Sequence, residues 1–343
     1  MSSLNKLPES MKSLPNAENI RLEIPLTLSE REFVLKCRNQ IQDILNGMDS
    51  RHLLIVGPCS LYDTEASLEY AYKLKGLQEK VKSSFLIVMR AYFEKPRTQL
   101  GWRGLMHDPS LDGSYNIPEG IRLTRKLLKK LVEIDMPLAT EFLDATSPLY
   151  FEDMISWGCI GARTAASPFH RMMASNLKMP IGFKNTPDGN IETALEAIQV
   201  AKAPQTFIAP SSQGVMSIVN TPGNKQGHLV LRGGRLGPNY HKDIIRTALS
   251  QTDRLIVDCS HDNSRKDPAK QMDVFKDVMH QIGSGETGIR GLMLESFLSL
   301  GNQIISHPLK YGVSVTDPCL DFESTQNMIL QCADIQKPSF VHC

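Results

Sequence analysis

The sequence has almost no net charge: 38 lysines and arginines stand against 37 aspartates and glutamates. A chain so balanced lacks the broad positive field that draws proteins to nucleic acid or to an anionic membrane, so neither is an expected partner and any phosphate recognition must be local. It also lacks a long apolar run. No stretch reaches the ~20 residues of a bilayer crossing, and the opening MSSLNKLPESMKS has no apolar segment of the kind a secretory signal carries, which points to the cytoplasm. A disulfide framework is missing too. Cys37, Cys59, Cys159, Cys259, Cys319, Cys332 and Cys343 are an odd set without framework spacing in a long chain, as expected of free thiols in a reducing compartment. Tryptophan is scarce, and with nothing else suggesting a nucleobase, Trp102 and Trp157 read as packing residues.

What is present is enough apolar material for a sizeable core, 41% of 343 residues. Short runs rich in Val, Ile and Leu alternate with helix-like stretches, the pattern of parallel strands covered by helices. Eight runs have strand length: 53–57, 85–89, 137–140, 159–162, 181–183, 228–231, 255–257 and 291–294. Eight such strands predict an α/β (β/α)8 barrel. A further pair, 206–209 and 215–219, reads as a hairpin inserted between the fifth and sixth strands. Residues 121–134 place Ile121, Leu123, Leu127, Leu128, Leu131 and Val132 at helical spacing, after Pro118 and Glu119. Residues 1–50, with Pro8, Pro15 and Pro25 and then an amphipathic stretch from Ser29 to Leu45, read as an irregular arm and a helix ahead of a barrel over 51–343. Such an arm buries little surface alone, so an oligomer contact is expected of it.

In a barrel of this kind the active site lies at the C-terminal ends of the strands. There the sequence has Cys59, Arg90, Glu141, Arg163, Lys184, Arg232, Asp258 with His261, and Glu295. Taken singly, each could be a solvated loop charge; a ring in which every strand ends in polar chemistry is another matter. Arg90, Arg163, Lys184 and Arg232, joined by Lys95 and Arg97, put six cations around one mouth, and such a cluster calls for a small, multiply anionic substrate. Cys59, His261, Glu295 and Asp317 supply a thiol, an imidazole and two carboxylates. Mixed S, N and O donors suit zinc, iron or manganese better than calcium or magnesium. Cys59 can equally be a small buried hydrophobe, the usual fate of a free cysteine. His107 and His170 read as loop or helix-surface residues, and Met172 and Met173 as helical gap-fillers.

The segments GPCS, MRAYFEKPRTQLGWRGLMHDP, TEFLD, WGCIGARTAAS, GFKN, LRGG, DCSHDNSRK, LESFLSLGNQ and VTDPC resemble, in order, the motifs of the 3-deoxy-D-arabino-heptulosonate 7-phosphate synthases of the short, microbial type I class, from about residue 15 to 335. The resemblance implies a cytoplasmic enzyme of the shikimate pathway. It condenses phosphoenolpyruvate with erythrose 4-phosphate and water, releasing phosphate. It also implies one divalent metal ion (Mn, Fe, Co or Zn) on Cys59, His261, Glu295 and Asp317. Phosphoenolpyruvate is expected on Arg90, Lys95, Arg163, Lys184 and Arg232 with Glu141 nearby, and the phosphate of erythrose 4-phosphate on Arg97 and Thr98. The catalytic set is then Lys95, His261 and Cys59, with Lys95, His261 or a water on the metal as the proton donor. A homodimer or homotetramer is expected. An aromatic amino acid inhibitor is expected near Ser211–Gly214 and Asn176–Lys178, although APSSQGVMSIVN lacks the Lys-Trp-Gly-His run of the enteric enzymes. RGGRLGPNY is one residue longer than their pattern, and Pro318 stands where alanine is usual. The nearest rivals are the octulosonate-phosphate and sialic acid synthases, and a non-catalytic barrel that binds metabolites.

Overall fold

Alternation of inward and outward side chains along eight short strands builds a closed parallel barrel. The computed structural model describes residues 12–97 and 100–333. Its barrel strands are β1 (His52–Gly57), β2 (Phe85–Arg90), β3 (Leu138–Glu141), β4 (Trp157–Ile160), β5 (Ile181–Lys184), β8 (Gly227–Leu231), β9 (Leu255–Asp258) and β10 (Ile289–Glu295). They neighbour one another in that order, and β1 closes the ring, with Val56 beside Met89 on one side and Leu294 on the other. The expected eight strands are therefore all present. The fourth begins two residues early, because Trp157 fills the barrel interior while Gly161 already lies beyond the ladder.

One face of the strands forms the barrel filling. Leu53, Ile55, Leu86, Val88, Ala139, Trp157, Cys159, Val230, Ile256 and Met293 cluster there with Ile41, Ile44 and Leu45. The last three belong to α2 (Leu28–Leu45), whose C-terminal end meets Arg254 and Arg290 at the starts of β9 and β10 and closes the bottom of the barrel. A capping box starts α2: the Glu30 N–H donates to Thr27 Oγ1 at 3.3 Å, and the Thr27 N–H donates to Glu30 Oε2 at 2.7 Å. The outward residues, such as Leu54, Val56, Ile87 and Leu292, join the apolar faces of α3 (Thr64–Val81), α4 (Ile117–Glu133) and α10 (Pro268–Gly283) in a second cluster. Helix α4 carries Pro118 and Glu119 in its first turn, the start they mark in the sequence, and the Asn116 side chain caps it by accepting from the Glu119 N–H.

The arm is not irregular throughout. Between Pro15 and Pro25 lies α1 (Ala17–Glu23), capped by Asn16 and anchored by the fully buried Ile20. Its flanks are fastened to the same chain: Tyr150 Oη donates to the Pro15 carbonyl at 2.7 Å and Arg125 Nε to the Ile24 carbonyl at 3.0 Å. The inserted hairpin is present as β6 (Gln205–Pro210) and β7 (Met216–Thr221), paired antiparallel outside the barrel. Its turn meets α1 through the Glu18 N–H and the Ser212 carbonyl at 3.0 Å. No helix among the described residues is long and apolar enough to cross a membrane, and the six described cysteines are free and buried.

Candidate active site

Strand pleating aims the polar ring. Val88 precedes Arg90 by two residues, and the same step joins Ala139 to Glu141, Gly182 to Lys184, Val230 to Arg232, Ile256 to Asp258 and Met293 to Glu295. Each member therefore shares the inward face of its interior neighbour and stands one layer higher, at the mouth. The fourth strand reaches Arg163 by two more such steps through Gly161. A side chain at Gly161 would bring its Cβ to 2.2 Å from Glu141 Oε1, so only glycine leaves room for that carboxylate.

Above this layer is a cavity of about 700 Å³. Lys95, Arg97, Arg163, Lys184, Arg232, Arg235 and Lys266 line it, and Glu141, Asp262 and Asp317 are the only carboxylates in its wall among the described residues. Four of the seven cations already face a partner. Lys184 Nζ lies 3.5 Å from Glu141 Oε2 and 3.4 Å from Asp258 Oδ2, Arg232 Nη1 is 2.6 Å from Asp262 Oδ2, and Lys266 Nζ is 3.0 Å from Asp317 Oδ1. Lys95 Nζ donates to the Cys59 carbonyl at 2.9 Å and lies 3.1 Å from its Sγ. Among the described residues no close ion pair engages Arg97, Arg163 or Arg235, although Arg235 lies near enough to Asp188 to help hold its carboxyl low. A cavity with three unpaired guanidinium groups is built for an anion of several charges.

Beneath the cavity the donor atoms of Cys59, Glu295 and Asp317 come within 4.8 Å of one another. Cys59 and Glu295 are buried, and Asp317 opens to the cavity. His261 stands at the edge of this trio, its Nε2 3.9 Å from Glu295 Oε1 and its Nδ1 2.8 Å from Asp258 Oδ2. A carboxylate behind one ring nitrogen fixes the tautomer and leaves the other nitrogen to serve as a ligand. The residue has φ 51°, as Arg265 has 53° and Lys266 60°. Left-handed non-glycine backbone of this sort marks a turn held in shape by its surroundings. One thiol, one imidazole and two carboxylates suit a divalent ion of borderline softness, so these residues fit the metal that the motifs imply.

The buried charges tune each other. Burial alone works against the charged form of Lys184, but Asp258 and Glu141 outweigh it and hold its pKa above the ordinary value. Burial likewise opposes ionisation of Asp258 and Glu141. His261 and Lys184 keep Asp258 well below the usual carboxylate range, and Lys184 and Lys95 keep Glu141 low. Lys95 is raised, since Cys59 and Glu295 overcome its burial. At Cys59 burial dominates and Glu295 adds to it, pushing the thiol up despite Lys95. A thiolate there requires a further positive charge beside it, which a divalent ion would supply.

Residues 23–330 match the model of the DAHP synthetase I family. The chain belongs to that family. It is 46% identical over 331 residues to the Trp-sensitive phospho-2-dehydro-3-deoxyheptonate aldolase of Escherichia coli K12, covering 94% of this chain and 95% of that one. It is 42% identical over 344 residues to the phospho-2-dehydro-3-deoxyheptonate aldolase of Corynebacterium glutamicum, covering 97% and 94%. A solved phospho-2-dehydro-3-deoxyheptonate aldolase from Francisella tularensis superposes with a TM-score of 0.93 at 43% identity, covering 96% of this chain and all of that one.

Of the residues that the family motifs single out, the cavity brings together Lys95, Arg97, Glu141, Arg163, Lys184, Arg232, His261 and Asp317. Arg90 lies beneath it, fully buried, with Nη2 2.9 Å from Glu295 Oε1, Nε donating to the Pro58 carbonyl at 3.3 Å and its guanidinium 4.0 Å from the centre of the Tyr92 ring. Thr98 falls outside the described residues. The motifs gave no hint of Arg235 and Lys266 as cavity cations, nor of Asp262 as the partner of Arg232, although Arg235 is three residues from Arg232, and Asp262 and Lys266 are one and five residues from His261. His107 sits in a loop as expected, yet it is buried, and its ring lies within 4.8 Å of the carboxyl groups of Glu94 and Asp144. Glu94 accepts from the N–H groups of Asp144 at 3.1 Å and Leu143 at 3.4 Å, tying the loop that carries Lys95 to the loop after Glu141.

Proposed function

We propose that the chain condenses phosphoenolpyruvate with D-erythrose 4-phosphate and water to give 3-deoxy-D-arabino-heptulosonate 7-phosphate and phosphate, the entry step of aromatic amino acid biosynthesis by the shikimate pathway. One observation carries the reading: a cavity lined by cations shares Asp317 with a thiol–carboxylate cluster that its Lys95 and His261 also touch, so anion binding and metal-type donors meet at one point.

The arginines and lysines bring two phosphorylated substrates, which repel each other in water, within bonding distance. Arg163, Lys184, Arg232 and Lys95 take the phosphate and carboxylate of phosphoenolpyruvate from the cavity wall, and Arg90 acts from below by fixing Glu295. Arg97, with Thr98, takes the phosphate of erythrose 4-phosphate. Cys59, His261, Glu295 and Asp317 hold one divalent ion, Mn, Fe, Co or Zn, which when bound supplies Lewis-acid polarisation of the aldehyde oxygen. As C3 of phosphoenolpyruvate bonds to C1 of the aldehyde, charge builds on that oxygen. Lys95, which lines the cavity with its Nζ 3.1 Å from Cys59 Sγ, donates a proton to it. In this reading Glu141 and Lys184, paired at 3.5 Å, act on the water that adds at C2, before the C–O bond breaks and phosphate leaves.

Residues 1–50 form, in this reading, an assembly arm on a catalytic barrel of 51–343, and the enzyme is a homodimer or homotetramer. Supporting this, Leu22 and Leu28 on the arm and Ile208, Met216 and Ile218 on the hairpin are each at least 65% exposed, a run of apolar surface suited to a second copy. An aromatic amino acid is the inhibitor, in keeping with the Trp-sensitive relatives. The reaction is tested by following phosphate release from phosphoenolpyruvate with erythrose 4-phosphate or arabinose 5-phosphate as acceptor. Turnover with the four-carbon sugar is expected; a preference for the five-carbon sugar would move the chain to the octulosonate-phosphate class.

A further inference from the structure

The ion pair between Arg232 and Asp262 stands apart from the other charge pairs of the cavity. Lys184 is matched by Asp258 and by Glu141, whose side chains are almost wholly buried although Glu141 also borders the cavity, and Lys95 and Lys266 face residues of the thiol–carboxylate cluster. Asp262 lines the cavity itself, belongs to no donor cluster, and places Oδ2 2.6 Å from Arg232 Nη1. The two residues are held in register by their backbones. The N–H groups of Asp262 and Asn263 both donate to the Arg232 carbonyl, at 3.1 and 3.2 Å. Asn263 Nδ2 donates to the carbonyls of Leu231 and Asp258, at 3.2 and 2.8 Å. The Arg232 N–H donates to Asn185 Oδ1 at 2.8 Å. Gly233 fits so closely against this turn that a Cβ there would lie 2.5 Å from the Asn263 nitrogen. The pair is therefore built into the site before any ligand arrives.

We propose that Asp262 is an internal counter-ion that competes with the phosphate-bearing substrate for Arg232 and so sets how tightly the site holds phosphate. The inference rests on the functional reading above and adds a residue to it. Its physical basis is the asymmetry of the pair: the Arg232 side chain is 10% exposed and that of Asp262 34%. An incoming phosphate oxygen takes the place of Asp262 on Nη1, and the displaced carboxylate regains water at the cavity wall while the guanidinium stays fixed. When phosphate departs, Asp262 returns to Arg232. A fixed anion beside a site for multiply charged anions weakens ground-state binding and favours release. For such a partly exposed pair the effect is about three- to tenfold in affinity.

The test is calorimetric titration of phosphoenolpyruvate, and separately of inorganic phosphate, into the wild type, Asp262→Asn and Asp262→Ala, with no sugar phosphate present so that nothing turns over. Both variants are expected to bind both ligands about three- to tenfold more tightly, with a steeper loss of affinity as salt is raised. Asp262→Asn keeps the shape and a hydrogen-bond acceptor, so it separates charge from position. Tightening in Asn as well as Ala supports competition by charge. Unchanged or weaker binding in the two variants, or a weaker Ala with a wild-type-like Asn, overturns the proposal and makes Asp262 a positioning residue for Arg232. A wild type that binds neither ligand overturns the functional reading and this inference with it. Binding by the wild type without tightening in the variants overturns the inference alone.

Discussion

Lys95 Nζ lies 3.1 Å from Cys59 Sγ and 2.9 Å from the Cys59 carbonyl, although the two residues sit in the segments that follow different strands, β1 and β2, 36 positions apart. The contact joins the two halves of the site, since Lys95 lines the anion cavity and Cys59 lies in the donor cluster below it. Replacing Lys95 with glutamine keeps a donor of similar length but removes the charge and the transferable proton. Steady-state kinetics should show kcat falling ~10²- to 10⁴-fold, the usual cost of a lost acid catalyst. A change confined to KM would leave Lys95 as a binding residue only.

Arg97 has no carboxylate partner among the described residues, and its Nε donates to the Trp102 carbonyl at 2.8 Å, which fixes the side chain over the cavity. Removing it as Arg97→Ala should raise KM for erythrose 4-phosphate ~10-fold or more, with a smaller change for phosphoenolpyruvate, because a charge-assisted contact to phosphate is lost. Equal effects on the two substrates in initial-rate measurements would contradict its assignment to the sugar phosphate.

Gly161 has no space for a methyl group beside Glu141. Gly161→Ala must displace that carboxylate and with it the partner of Lys184. A loss of ~10² in kcat/KM is expected from misplacement of this order, with a lower melting temperature. Wild-type kinetics in a folded Gly161→Ala protein would show that Glu141 has no part in the reaction.

Glu94 supplies a prediction in pH. Burial, reinforced by Asp144, pushes its carboxyl from 4.5 up to about 8. Between those values the folded chain keeps a proton that the unfolded chain has lost, so this residue's contribution to stability falls as pH rises from about 4.5 to about 8. Glu94→Gln cannot lose that proton and can still accept from the N–H groups of Leu143 and Asp144. Its melting temperature should therefore gain on the wild type steadily from pH 5 to pH 8. Parallel melting curves across that range would contradict the burial argument.

The barrel was legible because its two periods are simple. Strands alternate at every second residue, and that same step carries the chain from Val88, Val230 or Met293 inside the barrel to Arg90, Arg232 or Glu295 at its mouth. Nothing in their spacing draws residues 59, 261, 295 and 317 together; only the barrel, which gathers the ends of distant strands at one mouth, made the thiol, imidazole and carboxylates readable as one donor set, and the motifs then named it a metal site. The sequence was silent where pairing depends on how loops stack. Asp262 meets Arg232 only because the turn after β9 hydrogen-bonds to the end of β8, and His107 is buried only because the loops after β2 and β3 close over it. Helix α1 was hidden by the prolines on either side, which set its limits without preventing it.

The most direct test of the account is metal titration. Protein freed of metal by chelation is given Mn, Fe, Co or Zn in turn, and phosphate release from phosphoenolpyruvate and erythrose 4-phosphate is followed in the wild type and in Cys59→Ala. The account predicts no turnover without metal, recovery in the wild type at about one ion per chain, and little or no recovery in Cys59→Ala. Turnover that survives both chelation and loss of the thiol would contradict it, leaving the cationic cavity as an anion site and Cys59 as a packing residue at the end of its strand.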